Sequence, residues 1–81
     1  MLTVELFGVL QQAAGDRQLQ LDALPEPPTV AAVLDQLARR HPALAPHLRR
    51  VACAQGDSLV RQDQTIDTSR PLVLLPPVSG G

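Results

Sequence analysis

The chain has no lysine, no tryptophan and no tyrosine, and it has one phenylalanine and one cysteine. Without lysine, chemistry that needs a side-chain amine of this protein is excluded, a Schiff base and self-linked isopeptide chains included. Without Tyr and Trp the usual platforms for stacking nucleotide bases are missing. The seven arginines read as spread along a chain of net charge −1, whereas a nucleic-acid partner calls for a basic patch. No nucleic acid is therefore expected. Cys53 has no second cysteine to pair with and fits a reducing compartment. No run approaches the roughly 18 apolar residues of a membrane span. The opening residues lack the basic-then-apolar pattern of a signal peptide. A cytoplasmic location and no membrane partner are the expectation.

What is present is aliphatic. Fourteen Leu, eight Val and ten Ala must build the core of an 81-residue chain. A domain of this size buries only about 60% of the surface its unfolded chain exposes, so it is marginal but can fold alone.

From Met1 to Gly8 the pattern alternates, with Leu2, Val4 and Leu6 on one face and Thr3, Glu5 and Phe7 on the other. This is a strand, with Phe7 standing among polar positions. Two roles fit Phe7 equally: a residue packed under a loop at the sheet edge, or an exposed apolar anchor for a partner. Val9 to Ala14 suits one or two helical turns, stopped by Gly15-Asp16. Arg17 to Asp22 alternates again, Leu19 and Leu21 inward, as an antiparallel neighbour of the first strand. Ala23 to Pro28, with three prolines, is an irregular link. Thr29 is a credible N-cap for a helix whose apolar residues Val30, Val33, Leu34, Leu37 and Ala38 fall on one stripe. Asp35 and Arg39 form an i,i+4 pair on its other side, and Pro42 ends it.

Ala43 to Arg49 reads as a short helical turn or loop, Val51 to Ala54 as a third strand, Gln55-Gly56-Asp57 as a turn, and Leu59-Val60 as a very short strand. Arg61 to Arg70 is a polar loop with Ile66 as its apolar anchor. Pro71 opens the last strand, a position where a strand tolerates proline. Leu72 to Leu75 has no polar alternation, as in a central strand. One amphipathic helix covers one face of a small sheet, so the other face should expose Leu or Val and mark a partner site. The expected fold class is α+β, a small mixed sheet with one main helix packed across it.

No side-chain set for catalysis or metal binding stands out. His41 and His47 are separated by proline and lack acidic or thiol neighbours at ligand spacing. Cys53 sits in a strand pattern as a small hydrophobe. The glycines make no phosphate loop. No metal and no bound cofactor are expected.

The ending is different. After Leu75 come Pro76, Pro77, Val78, Ser79, Gly80 and Gly81. Two prolines stop sheet pairing and stiffen the exit. Two glycines make a thin tip without side chains, suited to a narrow active site. The expected division is a domain over residues 1–75 and an extended tail over 76–81. The carboxylate of Gly81 is the most credible reactive group. It becomes electrophilic once a second enzyme converts it with ATP to an acyl-adenylate, and a sulfur or amine nucleophile can then displace the phosphate. A frayed, inert end is the alternative reading of the same residues.

The opening strand with Phe7, the stretch Gln12-Ala13-Ala14-Gly15, the helix start at Thr29-Val30 and the ending Leu75 to Gly81 together resemble the small subunits of molybdopterin synthase. These are sulfur carriers with the ubiquitin-like β-grasp fold, and the resemblance covers nearly the whole chain. It implies that an E1-like adenylating enzyme activates Gly81 with ATP, and that Gly81 becomes a thiocarboxylate. It implies that Pro76, Pro77, Val78, Ser79 and Gly80 insert into the synthase large subunit, in a heterotetramer, to deliver sulfur to cyclic pyranopterin monophosphate. It also implies that Phe7, Leu59 and Leu75 lie on the face that docks on both partners. The chain departs from the family's pattern at Gln55-Gly56-Asp57 and at Ser69-Arg70-Pro71. Two other readings remain open: a β-grasp sulfur carrier for thiamin or tRNA thiolation, and a protein-binding module with an inert tail.

Overall fold

The structure, a computed structural model, describes residues 1–76. Five strands form one mixed sheet: β1 (Leu2–Leu6), β2 (Gln18–Leu21), β3 (Ala52–Gln55), β4 (Ser58–Val60) and β5 (Leu72–Leu75). Their spatial order is β2-β1-β5-β3-β4. The first and last strands in sequence lie side by side and parallel at the centre, with Val4 opposite Leu72 and Leu6 opposite Leu74. The other pairings are antiparallel. This is the mixed sheet expected, with β5 at its middle.

Period-2 alternation decides which face is buried. Leu2, Val4, Leu6, Leu72 and Leu74 all point to one side and are fully or almost fully buried. The main helix, α2 (Val30–Arg40), covers that side with Val30, Val33, Leu34 and Leu37. Thr29 caps it as expected: its hydroxyl oxygen accepts from the Ala32 N–H at 3.2 Å. Two more first-turn amides would be orphaned, and the loop that follows β4 takes them. Val30 N–H donates to the Gln64 carbonyl at 3.1 Å and Ala31 N–H to that of Gln62 at 2.9 Å. Ile66, buried in the core, anchors this loop from below.

The short helix α1 (Val9–Ala14) links β1 to β2 and ends at Gly15, whose φ of 76° gives the left-handed cap that glycine favours. Leu10 ties it to the core. Pro42 does stop α2, but the chain then continues into a 3₁₀ segment, Pro42–His47, rather than an open loop. Leu44 and Leu48 bury themselves against the core from this segment. The third strand is shifted by one residue from its expected position. Gln55 belongs to β3, paired with Ser58, and the turn is the two-residue Gly56-Asp57. Among the described residues no helix is long and apolar enough to cross a membrane.

Candidate functional site: the outer sheet face and the base of the tail

The face of the sheet away from α2 has no covering layer among the described residues. Register fixes what it shows. The β1–β5 register ends at the Leu6–Leu74 pair, and the next residues along the two chains are Phe7 and Leu75. Leu75 is opposite Ala52, and Ala54 is opposite both Val73 and Leu59. The two alanines of β3 therefore make a low floor between Leu59 on one side and Leu75 on the other. Phe7 is 43% exposed, Leu75 37% and Leu59 71%. A hollow of about 330 Å³ at the β4 edge of the sheet is lined in part by Ala52, Leu59 and Arg61. All three residues expected to present apolar surface do so, on one face. Leu75, from a run without polar alternation, is on the open side, while Leu72 and Leu74 form the closed one.

Pro76, the last described residue, is at the same corner. Pro76 follows β5 and lies against Gly8, where a Cβ on residue 8 would meet the Pro76 Cγ at 3.1 Å. Gly8 has φ 58° and ψ −131°, a conformation that residues with a Cβ rarely adopt. The chain uses glycine there for two reasons at once, the sharp step from β1 into α1 and the close passage of Pro76. The expectations placed on Pro77, Val78, Ser79, Gly80 and Gly81 lie outside the described residues.

A prediction follows for Gly8→Ala. It adds a methyl group in strained backbone, at a cost of about 1–3 kcal/mol, and pushes Pro76 from its seat. The melting temperature should fall by about 5–20 °C on the scaling for domains of this size. A change of less than a degree or two would show that the backbone re-adjusts freely at this corner.

The approach to β5 is held by a residue that sequence reasoning assigned to a turn. Gln55 is 8% exposed and is the buried polar side chain of the described residues. Its Nε2 donates to the carbonyls of Asp67 at 2.8 Å and Arg70 at 3.1 Å, and its Oε1 accepts from the Asp67 N–H at 3.1 Å. One amide thus pins both ends of the turn that delivers the chain into β5. The Arg70 guanidinium lies over Gly56, whose positive φ of 60° is the conformation that favours glycine. Asp67 accepts from the Ser69 hydroxyl at 2.6 Å and the Ser69 N–H at 2.9 Å, and these bonds hold its carboxyl below the usual range. Nothing in the local sequence marks Gln55 as buried. Gly8 did carry a signal, a glycine between a strand and a helix.

Cys53 faces the core. Burial pushes its thiol up to about 11, so it is overwhelmingly protonated at neutral pH and is no nucleophile. Among the described residues no three His, Cys, Asp or Glu gather as a metal site.

Residues 4–81 match the ThiS family. The chain belongs to it. The family consists of ubiquitin-like β-grasp sulfur carriers, and the fold found here is theirs. SAMP1 from Haloferax volcanii is 28% identical, with a TM-score of 0.80 over 99% of this chain and 98% of that one. A putative molybdopterin converting factor subunit 1 from Pyrococcus furiosus has the same fold at 21% identity, with a TM-score of 0.80 over 95% of this chain and 97% of that one. The Amycolatopsis orientalis BexX/CysO complex contains another such chain, at 22% identity and a TM-score of 0.76, matched over the full length of both. No curated protein matches the chain in sequence.

Proposed function

We propose that this ThiS-family chain is the sulfur-donating small subunit of a molybdopterin synthase. The observation that carries the reading is the coincidence of two features at one corner: the exit of the Pro-Pro-Val-Ser-Gly-Gly tail at Pro76, and the exposed pair Phe7 and Leu75 beside it. A partner that covers the apolar face is thereby placed to receive the tail. In this reading the carboxylate of Gly81 attacks ATP on an E1-like enzyme, pyrophosphate leaves, and an acyl-adenylate forms. A sulfur nucleophile from a donor system then displaces AMP and leaves a thiocarboxylate. The synthase large subunit takes up the tail, and two such sulfur transfers to cyclic pyranopterin monophosphate make the dithiolene. The chain itself binds no cofactor and contributes no catalytic side chain, since its reactive atom is the terminal one. Support for this acceptor comes from the Leu75–Gly81 ending, and one structure of the same fold, from Helicobacter pylori, is a complex of subunits 1 and 2 of a molybdopterin-converting factor.

A second reading keeps the carrier chemistry and changes the acceptor. It is favoured by the 28% identity to SAMP1 and by a second matching structure, the small archaeal modifier protein 1 of H. volcanii, at 25%. Here the activated carbonyl would go to an amine of another protein.

The test is the intact mass of the chain after incubation with its activating enzyme, ATP and a sulfur donor. One oxygen at Gly81 should be replaced by sulfur. Because oxidation of Met1 or Cys53 adds nearly the same mass, the gain must be placed on the C-terminal fragment. A tail that stays unmodified, beside an activator shown to be competent on another carrier, would leave a binding module with an inert end. Supplying the large subunit and the pyranopterin, or a protein amine, then separates the two acceptors.

The docking part of the proposal has its own prediction. Leu75→Asp should weaken the complex with the large subunit by about 2 kcal/mol or more, the range of a central apolar anchor. Thermal stability should change little, because that side chain already meets water. A melting temperature that falls by more than about 10 °C would instead make Leu75 a core residue, on the scaling for small domains.

A further inference from the structure

The arginines are less dispersed than the sequence reading takes them to be. Four of the seven, Arg39, Arg40, Arg49 and Arg50, sit at the two ends of the 3₁₀ segment, within the stretch Arg-Arg-His-Pro-Ala-Leu-Ala-Pro-His-Leu-Arg-Arg. No carboxylate occurs from Gln36 to Gly56. All four arginines are exposed. One of them has an acidic partner: Arg39 Nε lies 3.2 Å from Asp35, with both side chains mostly in water. Complementing the carbonyls at the end of α2 accounts for Arg39 and Arg40. It does not call for Arg49 and Arg50, which follow the 3₁₀ segment.

The segment between the pairs is rigid. Pro42 and Pro46 restrict its backbone, and the buried Leu44 and Leu48 fasten it to the core. A hollow of about 460 Å³ lined by Pro42, Ala45, Pro46 and Arg49 lies along it. The segment belongs to the helix layer, so it is across the sheet from Phe7, Leu59 and Leu75.

We propose that this basic bracket is a second docking surface, for an extended acidic segment of a partner protein. Six residues of 3₁₀ helix span roughly 12 Å at about 2 Å per residue. An extended peptide advances about 3.3 Å per residue, so an acidic segment needs about four residues to run along the 3₁₀ segment between the two arginine pairs. A nucleic acid fits less well. The surface offers no aromatic platform for bases, and the rest of the chain carries seven of the eight carboxylates, with Asp35 the eighth. Because the two surfaces lie on opposite layers, the chain can be held here while its apolar face is occupied. The inference does not depend on whether the tail carries sulfur.

The experiment titrates the full chain with a fluorescent Glu-Ser repeat peptide and maps amide chemical shifts on the protein. Shifts should concentrate over residues 39–50 and disappear as salt is raised. The double variant Arg40→Glu/Arg49→Glu should bind roughly tenfold or more weakly, a loss of about 1.4 kcal/mol, while Arg40→Lys/Arg49→Lys should retain most of the affinity. Wild-type shifts that fall elsewhere, or equal affinity in the Glu variant, overturn the proposal. So does tighter binding of a single-stranded oligonucleotide of matched charge, which would assign the surface to nucleic acid. Shift mapping on the wild type decides the matter even if the charge-reversed variant is unstable.

Discussion

Removal of Gly81 should abolish thiocarboxylate formation completely while leaving the melting temperature within a degree or two of the parent. The two halves of this result have separate causes. The buried hydrophobic core of the described chain runs from Leu2 to Leu74, and the sheet register is complete at Leu75. Nothing in that framework requires the last residue. The proposed carrier chemistry does require it, because in that reading the group to be adenylated is its carboxylate. Without Gly81 the terminus is Gly80, one residue short, about 3.3–3.6 Å less reach for an extended chain. Catalysis that depends on positioning tolerates misplacement of about 1 Å poorly. A residue appended after Gly81 should do as much damage by the opposite route, since it replaces the reactive carboxylate with a peptide bond. Mass spectrometry of the C-terminal fragment and a thermal melt on the same sample check both halves. If the shortened chain still gains sulfur, the terminal residue is not the reacting one.

Much of this arrangement was legible before the structure, and the reasons are physical. The alternation in Leu2 to Leu6 and the stripe from Val30 to Ala38 are strong periodic signals, and strong periodicity reports burial directly. The apolar run at Leu72 to Leu75 announced a central strand, and β5 is central. A single covering helix implied an open face with exposed aliphatic residues, the family resemblance named Phe7, Leu59 and Leu75 for it, and all three are exposed. What stayed hidden was long-range. No local pattern says that the amides opening α2 will be satisfied by the carbonyls of Gln62 and Gln64, more than thirty residues later in the chain. Gln55 reads as a turn residue because it adjoins Gly56-Asp57, whose residue types favour turns. Only the pairing of Gln55 with Ser58 turns its side chain inward. The arginines misled for a different cause: counted over the whole chain they look spread, and the bracket around the 3₁₀ segment emerges once Leu44 and Leu48 are seen to fix that segment in place.

Gln55→Ala is the substitution within the folded domain expected to cost most for its size. Three hydrogen bonds converge on one buried amide. Truncation leaves the Asp67 N–H and the Arg70 carbonyl to find new partners, while the Asp67 carbonyl keeps the Arg70 N–H at 3.1 Å, and it also leaves a gap. A buried group stripped of its partner costs about 1–3 kcal/mol. Some of these groups are near the surface and will recruit water, so a total loss of about 2–4 kcal/mol is expected. At about 4–8 °C per kcal/mol for a domain of this length, the melting temperature should drop by roughly 10–25 °C. The isosteric Gln55→Glu separates hydrogen bonding from volume. An ionised carboxylate fills the space and still accepts from the Asp67 N–H, but it confronts two carbonyl oxygens it cannot donate to. Those carbonyls disfavour the charged form, so the carboxyl of Glu at this position should have its pKa raised in the folded state above the unfolded value of about 4.3. Below that value both states are protonated and the penalty is smallest. As pH rises from there to the folded-state value, the unfolded chain ionises more readily and stability is lost. The Gln55→Glu protein should therefore be more stable in mild acid than at neutral pH, relative to the parent measured alongside it. A constant difference across that range would mean that the side chain has swung out to water and that the turn into β5 is held by something else.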